Sequence, residues 1–224
     1  MSPRVVAIVP MRHESERVPG KNLRPFGGRP LFHHIIETLL ASPRISETVI
    51  DTDSEEIHRD ARRTFPSVVV LDRPPELRSG MVSMTDVLLN DVRRIEADLY
   101  LQTHSTNPLL QESSVTRAIE EFLRAEPMPD SLFSVTRLQT RLWDANGAPM
   151  NHDPRRLVRT QDLPPIFEEN SCLYLFSRQS LEGHGSRIGG RPMMFELPKD
   201  EALDIDEETD FRIAEALYGL RART

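Results

Sequence analysis

Residues 5–22, VVAIVPMRHESERVPGKN, join a short apolar run to a polar loop that contains a glycine. The run from Val5 to Val9 is apolar at every position, which is typical of a central parallel strand covered by helices on both faces. We predict a strand that Pro10 stops. Because open parallel sheets bind ligands in the loops after their strands, the loop that follows is expected to carry function.

Strand and helix patterns alternate from this run to residue 135. Further strands are predicted at 48–50, 68–71, 99–101, 131–135 and 172–176. Helices are predicted at 30–40, 54–65 with Ser54 as N-cap, 85–95, 114–123 and after Asp206, which is expected to cap the last helix. The alternation predicts an α/β fold, a mostly parallel, doubly wound, Rossmann-like sheet.

Residues 136–170 break this rhythm within what is predicted to be a single domain over residues 1–224. Proline, arginine and aspartate are frequent there and no clean period survives. A long irregular stretch in a compact domain is usually functional or an interface arm. Its apolar residues Leu142, Trp143 and Leu157 indicate an arm for dimerisation and substrate binding, and hence a homodimer.

The composition excludes some partners. A net charge of -7 argues against a nucleic-acid-binding protein, because such domains carry a basic surplus. No apolar run reaches 18 residues, so no membrane span is expected. The single cysteine, Cys172, cannot form an internal disulfide, which favours a reducing, cytoplasmic compartment.

The loop after the first strand is rich in cations. Arg12, Arg17 and Lys21 fall within ten residues, beside Gly20. Such groups can clamp a triphosphate and neutralise charge on a leaving pyrophosphate. A solvated basic loop is the alternative on charge alone. The glycine spacings of the Walker and dinucleotide-binding loops are absent.

A second pattern is Asp204-Ile205-Asp206. Residues two apart on an extended segment point the same way, so the two aspartates can converge on one hard cation such as Mg²⁺. The alternative is an acidic first turn that the helix dipole favours, and both can hold together.

Residues 12–22 resemble the nucleotide-binding signature of the acylneuraminate cytidylyltransferase family, and residues 15–21 are also similar to the related octulosonate (KDO) cytidylyltransferases. The resemblance implies a nucleotidyltransferase that moves CMP from CTP to the anomeric hydroxyl of an acidic 2-keto-3-deoxy sugar and releases pyrophosphate. The residues implied to bind nucleotide are Arg12, Ser15, Arg17, Lys21 and Asn22. Arg12, Lys21 and Asp206 are the implied catalytic residues, and Asp204 and Asp206 the implied Mg²⁺ ligands.

Weaker matches extend the resemblance along the chain. Residues 73–77, Arg-Pro-Pro-Glu-Leu, precede a loop in which Ser79 or Ser83 could contact nucleotide, and Ser83 is assigned to that role. The sugar-binding residues implied by the resemblance, with His104 added from the same loop as Gln102, are Gln102, His104, Glu168 and Asn170.

Glu168 departs from the family, because sialic-acid enzymes often carry an arginine there for the sugar carboxylate. A carboxylate would repel that group, so either the sugar differs or another cation serves. Arg155, Arg156 and Arg159 are the candidate replacements. We expect N-acetylneuraminate to be a poor substrate.

Two other functions remain open at this point. A metal-dependent glycosyltransferase could use Asp51 and Asp53, or Asp204 and Asp206, to hold a sugar nucleotide's metal. A non-catalytic relative could bind CTP or a sugar without chemistry. The triphosphate-sized set of cations in the first loop favours the transferase.

Overall fold

A seven-stranded sheet lies at the centre of the computed structural model, which describes residues 2–13 and 18–221. Within these residues the strands are β1 (Val5–Met11), β2 (Pro25–Phe26), β3 (Arg29–Pro30), β4 (Glu47–Thr52), β5 (Val69–Asp72), β6 (Leu99–Gln102), β7 (Ser131–Leu138), β8 (Ile166–Phe176) and β9 (Pro192–Glu196). The α-helices there are α1 (Leu31–Ala41), α2 (Glu55–Thr64), α3 (Met84–Arg94), α4 (Glu112–Arg124), α5 (Arg178–His184) and α6 (Glu208–Arg221).

The strand order of the large sheet is β5-β4-β1-β6-β8-β7-β9. Within this sheet, as the described residues form it, only β8 runs antiparallel to its neighbours, while β2 and β3 form a separate antiparallel pair. From β1 the chain moves outward through β4 and β5, and then returns to place β6 on the other side of β1. This reversal creates a switch point between β1 and β6, where open α/β sheets bind ligands. The predicted mostly parallel sheet is confirmed.

Strand β1 is buried on both faces, as its apolar run predicts. Val5, Ala7 and Val9 pack with α1, α2 and α4, whereas Val6 and Ile8 pack on the opposite face with α3 and α5. Alternating side chains of one strand therefore supply two cores. The sheet is doubly wound for this reason.

The prediction that Pro10 stops the first strand is wrong. Strand β1 continues to Met11, and Pro10 pairs with Asp51 of β4. On the other side of β1, strand β6 pairs only with the residues from Val5 to Ile8. Pro10 lies past that last partner, so its missing N–H breaks no ladder bond to β6.

The irregular stretch is shorter than predicted and spans residues 139–165. Strand β7 reaches Leu138, which pairs with Ile166 at the start of β8. The last pair between β7 and β9 is Val135 with Glu196, and after Val135 strand β7 pairs only with β8. This two-stranded ribbon has no covering layer, so its sequence shows no apolar alternation. The patterns also gave no prediction of α5 or β9.

Helix boundaries follow local capping. The predicted cap at Ser54 is confirmed, because its Oγ accepts the Ile57 N–H at 3.3 Å. The predicted cap at Asp206 is wrong, since α6 begins at Glu208. The Asp210 carboxylate reaches back instead and accepts the N–H of Asp206 at 3.0 Å.

None of the helices in residues 2–13 and 18–221 combines the length and the apolar character needed to cross a membrane.

Candidate active site

A cavity of about 800 Å³ opens at the carboxyl ends of the strands, beside the switch point between β1 and β6. Its wall comes from the loops after β1, β4, β5 and β6 and from the segment before α6. The predicted site residues that line it are Arg12, Lys21, Asn22, His104, Asp204 and Asp206.

The start of the loop after β1 is fixed by hydrogen bonds. The backbone N–H of His13 donates to Asp53 Oδ1 at 2.7 Å, and the His13 ring lies 2.9 Å from the Ser54 hydroxyl. The Arg12 carbonyl accepts from the Asn22 amide at 3.0 Å. These contacts hold the start of the loop against the residues that follow β4. Arg12 lines the cavity as a result.

Lys21 links this loop to the acidic segment near the C-terminus. Gly20 takes the left-handed conformation (φ 62°) that turns the chain into a short 3-10 helix starting at Lys21. The buried Lys21 ammonium donates to the Ile205 carbonyl at 2.5 Å. Beside it, Asn22 Oδ1 accepts the Ser105 hydroxyl at 2.6 Å. The cationic and acidic halves of the site are therefore joined directly.

Asp204 and Asp206 both line the cavity, while Ile205 between them is fully buried in the core with α6. This is the alternation of an extended segment. Its position is set by the Ile205 N–H, which donates to the Thr106 carbonyl at 2.9 Å. No group of three or more metal-binding side chains was found among the described residues. Two carboxylates fit Mg²⁺, which takes its other ligands from water and substrate phosphates.

A buried amide organises the side of the cavity next to β6 and β8. Gln102 is fully buried, and its amide nitrogen donates to the Thr103 carbonyl and contacts His104 Nε2, each at 3.0 Å. Its amide oxygen accepts from Arg187 Nη1 at 2.5 Å. The Arg187 guanidinium stacks over Tyr174, 3.5 Å from the ring centroid. Gln102 therefore stands behind the cavity wall and positions two groups on it.

His104 is neutral in this environment. Desolvation, with the nearby charges of Arg187 and Lys21, lowers the pKa of His104 to about 3. Because its Nε2 accepts from Gln102, the proton sits on Nδ1. A group with this pKa is a poor general base at neutral pH, but its Nδ1–H can donate a hydrogen bond to a ligand.

Arg73, which follows β5, lines the side of the cavity opposite His104 and Arg187. Its Nε donates to the buried Asp51 carboxylate at 2.6 Å, and its carbonyl accepts from Arg78. Asp51 is therefore committed to Arg73, and only Asp53 of that pair lines the cavity. This arrangement removes Asp51 and Asp53 as a metal pair. Behind the strand, burial and then Asp51 raise the pKa of Asp91 to about 7.

Some predicted residues are placed elsewhere or not at all. Ser83 does not line the cavity; its hydroxyl caps α3 by accepting the Asp86 N–H at 3.1 Å. Asn170 bridges β7 and β8 through contacts with Ser134 and Thr136. The predicted ligands Ser15 and Arg17 lie outside the described residues.

Glu168 and its suggested replacements also lie away from the cavity of their own chain. Glu168 is exposed on the ribbon of β7 and β8. Arg155 and Arg159 are exposed and form ion pairs within residues 153–162, and Arg156 is exposed as well. The alternative in which one of these three replaces the family arginine has no support in the geometry of a single chain.

Arg78, Ser171 and Arg187 are among the lining residues of the cavity to which the sequence analysis gives no role. Arg187 follows α5 in a stretch without a helix or strand pattern. Ser171 adopts a positive φ of 57°, which the sequence does not reveal. Its hydroxyl accepts from Tyr174 at 3.2 Å. These positions become visible only when distant segments meet.

Comparison with known proteins gives one family and several relatives. A family model described as cytidylyltransferase matches residues 6–222. The chain is 29% identical over 219 residues to N-acylneuraminate cytidylyltransferase A of Danio rerio, and the match covers 94% of this chain but 50% of that protein. It is 26% identical to pseudaminic acid cytidylyltransferase of Campylobacter jejuni, with 95% of each chain covered. This chain therefore spans about half of the fish protein and nearly all of the bacterial one.

Solved structures match the fold. CMP:2-keto-3-deoxy-manno-octonic acid synthetase complexed with CTP is 16% identical with a TM-score of 0.72, over 97% of this chain and 99% of that chain. The 4-diphosphocytidyl-2C-methyl-D-erythritol synthase of Anaerococcus prevotii is 12% identical with a TM-score of 0.71, over 97% of both chains. At these identities the likeness establishes the architecture alone.

Proposed function

Because the chain belongs to the cytidylyltransferase family, we propose that its cavity transfers CMP from CTP to the anomeric hydroxyl of an acidic 2-keto-3-deoxy sugar, a sialic-acid-like substrate. One observation carries this proposal. The Lys21 ammonium bonds the backbone between Asp204 and Asp206, so a phosphate-binding cation and two potential metal ligands share one wall of the cavity.

The reaction is an in-line displacement at the α-phosphorus of CTP. The sugar's anomeric oxygen forms the new P–O bond as its hydroxyl proton passes to solvent water, and the bond from the α-phosphorus to the bridging oxygen breaks. Pyrophosphate leaves with the bonding electrons. Arg12 and Lys21, which line the cavity, would stabilise the charge that develops on the phosphate oxygens, and Asn22 would position the triphosphate.

Asp204 and Asp206 would hold Mg²⁺ in this scheme, as the chemistry of the pair supports. The bound ion would supply Lewis-acid charge stabilisation and lower the pKa of the sugar hydroxyl. His104, held neutral, would donate its Nδ1–H to the sugar, while Gln102 positions it.

The wider setting is proposed on sequence grounds. The protein works in the cytoplasm, which suits a chain whose single cysteine, Cys172, is buried and unpaired. Residues 1–224 act as one nucleotidyltransferase domain. It pairs with a second copy through the arm at 136–170, whose exposed Trp143 and Leu157 support this role.

The test is a pyrophosphate-release assay with CTP, Mg²⁺ and a panel of 2-keto-3-deoxy sugar acids, with UTP and ATP as nucleotide controls. We expect release with CTP and at least one acid sugar, and little with either control nucleotide. Calorimetric CTP binding without turnover of any sugar would instead indicate a binding protein. In a parallel reaction with a nucleotide sugar in place of CTP, consumption of the nucleotide sugar without release of pyrophosphate would indicate a glycosyltransferase.

A further inference from the structure

Arg187 brings a positive charge to the cavity without a carboxylate in ion-pair contact among the described residues. Among residues 2–13 and 18–221, no aspartate or glutamate forms an ion pair with this half-buried guanidinium. Its closest contacts are neutral, the Gln102 amide oxygen and the Tyr174 ring. The Glu169 carboxylate, which accepts from the Tyr174 hydroxyl, attracts the guanidinium from a greater distance. Burial lowers the pKa of Arg187, although an arginine stays charged at neutral pH. A partly desolvated charge of this kind is stabilised when a ligand brings the opposite charge.

The contacts also fix the direction of the guanidinium. One face lies on Tyr174, and the Tyr174 hydroxyl is itself held by Glu169 and Ser171. One Nη1 hydrogen is used by Gln102. Arginine has five N–H donors in a planar fork that matches a carboxylate. The remaining donors include a pair able to hold one carboxylate in two parallel hydrogen bonds.

The position of Arg187 separates it from the nucleotide end. Arg73 follows β5, whereas Tyr174 beneath Arg187 belongs to β8, four strands away in the sheet order. Adjacent strands are about 4.8 Å apart, so the two ends of the cavity are separated by roughly 19 Å. Arg12 and Lys21, after β1, lie between them. A nucleotide whose phosphates meet the β1 loop leaves the β6 and β8 side for the second substrate.

We propose that Arg187 binds the carboxylate of the acidic sugar and makes the enzyme select acids over neutral sugars. The inference rests on the proposed function. Arg187 differs from the earlier candidates in the exposed stretch 153–162, because it lines the wall of the cavity itself. Gln102 and Tyr174 are positioning residues for this contact.

The test compares the best sugar acid of the panel with its C1 carboxamide, in the wild type and in Arg187→Gln. The wild type is expected to prefer the acid in kcat/KM by on the order of 10²-fold, the effect of a charge-assisted bidentate contact. Arg187→Gln is expected to lose most of that preference, with the KM for CTP within about twofold of wild type because the phosphates lie elsewhere. Arg187→Lys keeps the charge without the planar fork and should retain part of the preference.

Arg191→Gln is the matched control, because Arg191 is exposed four residues further along and does not line this cavity. It should keep the wild-type ratio, and thermal melts of all variants report on folding. An unchanged ratio of acid to carboxamide in a folded Arg187→Gln enzyme would overturn the inference and leave the proposed function standing. A raised KM for CTP alone would assign Arg187 to the triphosphate, and so would also overturn it. A wild-type protein that turns over no acid sugar would overturn both.

Discussion

Lys21 is the residue on which the two halves of the site depend. Its ammonium lines the cavity and also bonds the Ile205 carbonyl. We predict that Lys21→Ala lowers kcat for pyrophosphate release by about 10²-fold or more, because transition-state charge stabilisation is lost. The exposed Lys199 offers a control, and Lys199→Ala should match the wild type. Equal rates in both variants would remove Lys21 from the mechanism.

Residue roles were predictable where they depend on strand ends and less so where they depend on distant contacts. Arg12 and Lys21 lie in the cavity because a loop after a central parallel strand opens there. Gln102 was expected to face the sugar, but its amide is committed to holding His104 and Arg187. The partner at residue 187 is 85 positions away, so no local pattern could reveal this arrangement.

At the scale of elements, the extended segment before α6 places Asp204 and Asp206 on the cavity. We predict that Asp206→Asn abolishes Mg²⁺-dependent activity and that Asp204→Asn weakens it, since Mg²⁺ requires hard anionic oxygens. The control is Glu207→Gln, which removes an exposed neighbouring carboxylate. Metal titrations of activity provide the measurement. If both aspartate variants kept the wild-type Mg²⁺ dependence, the pair would serve only the start of the helix.

Helix α3 buries the carboxyl group of Asp91 against the sheet, and this burial lowers the free energy of unfolding by an amount that depends on pH. Burial, and then Asp51, raise the pKa of Asp91 to about 7, above its value in the unfolded chain. The folded state therefore keeps a proton that the unfolded state releases between about pH 4 and 7, so this group reduces stability as the pH rises through that window.

Asp91→Asn should accordingly raise the free energy of unfolding at pH 8, by on the order of 2 kcal/mol, and by much less at pH 5. Urea unfolding at the two pH values measures this difference. Asp72→Asn, which alters an exposed carboxylate, should show no such dependence. A destabilised Asp91→Asn at pH 8 would mean that the ionised carboxylate is needed by Arg73 and its neighbours.

The elements themselves were largely readable from periodicity, with two instructive failures. Pro10 was expected to end β1, but only one neighbouring strand extends that far, so the missing N–H is tolerated. The ribbon residues 136–138 and 166–170 fall in the stretch predicted to be irregular, because strands without a buried face show no alternation. An alternation of apolar residues identifies a strand by its buried face, so it cannot identify a strand that has none.

At the scale of the whole molecule, the strand order explains why one cavity can receive two substrates. The reversal between β1 and β6 opens the sheet's carboxyl edge, with Arg73 on one side and Arg187 on the other. The fold class and the family predicted from the sequence are confirmed by the topology and by the family match. Ser171 and Arg187, on the β6 and β8 side of the cavity, could not be predicted, because they come from segments that are far from the first loop in the chain.

The proposed dimer is a second prediction at this scale. Leu157 is 88% exposed and Trp143 51% exposed in the irregular stretch, so both are available for a second copy to cover. We predict a dimer mass by light scattering at micromolar concentration, and a shift toward monomer in Leu157→Lys. Leu40→Lys, on the surface of α1, should remain dimeric. A monomeric wild type would contradict the proposal.

The central claim is that a sugar hydroxyl displaces pyrophosphate from CTP in this cavity. Phosphorus NMR of the protein with CTP, Mg²⁺ and the best sugar acid follows that exchange directly. We predict that CTP is replaced by equal amounts of pyrophosphate and a CMP-sugar phosphodiester, and that Lys21→Ala forms both far more slowly. CTP that persists unchanged across the sugar panel, or that yields pyrophosphate with free CMP and no sugar ester, would contradict it.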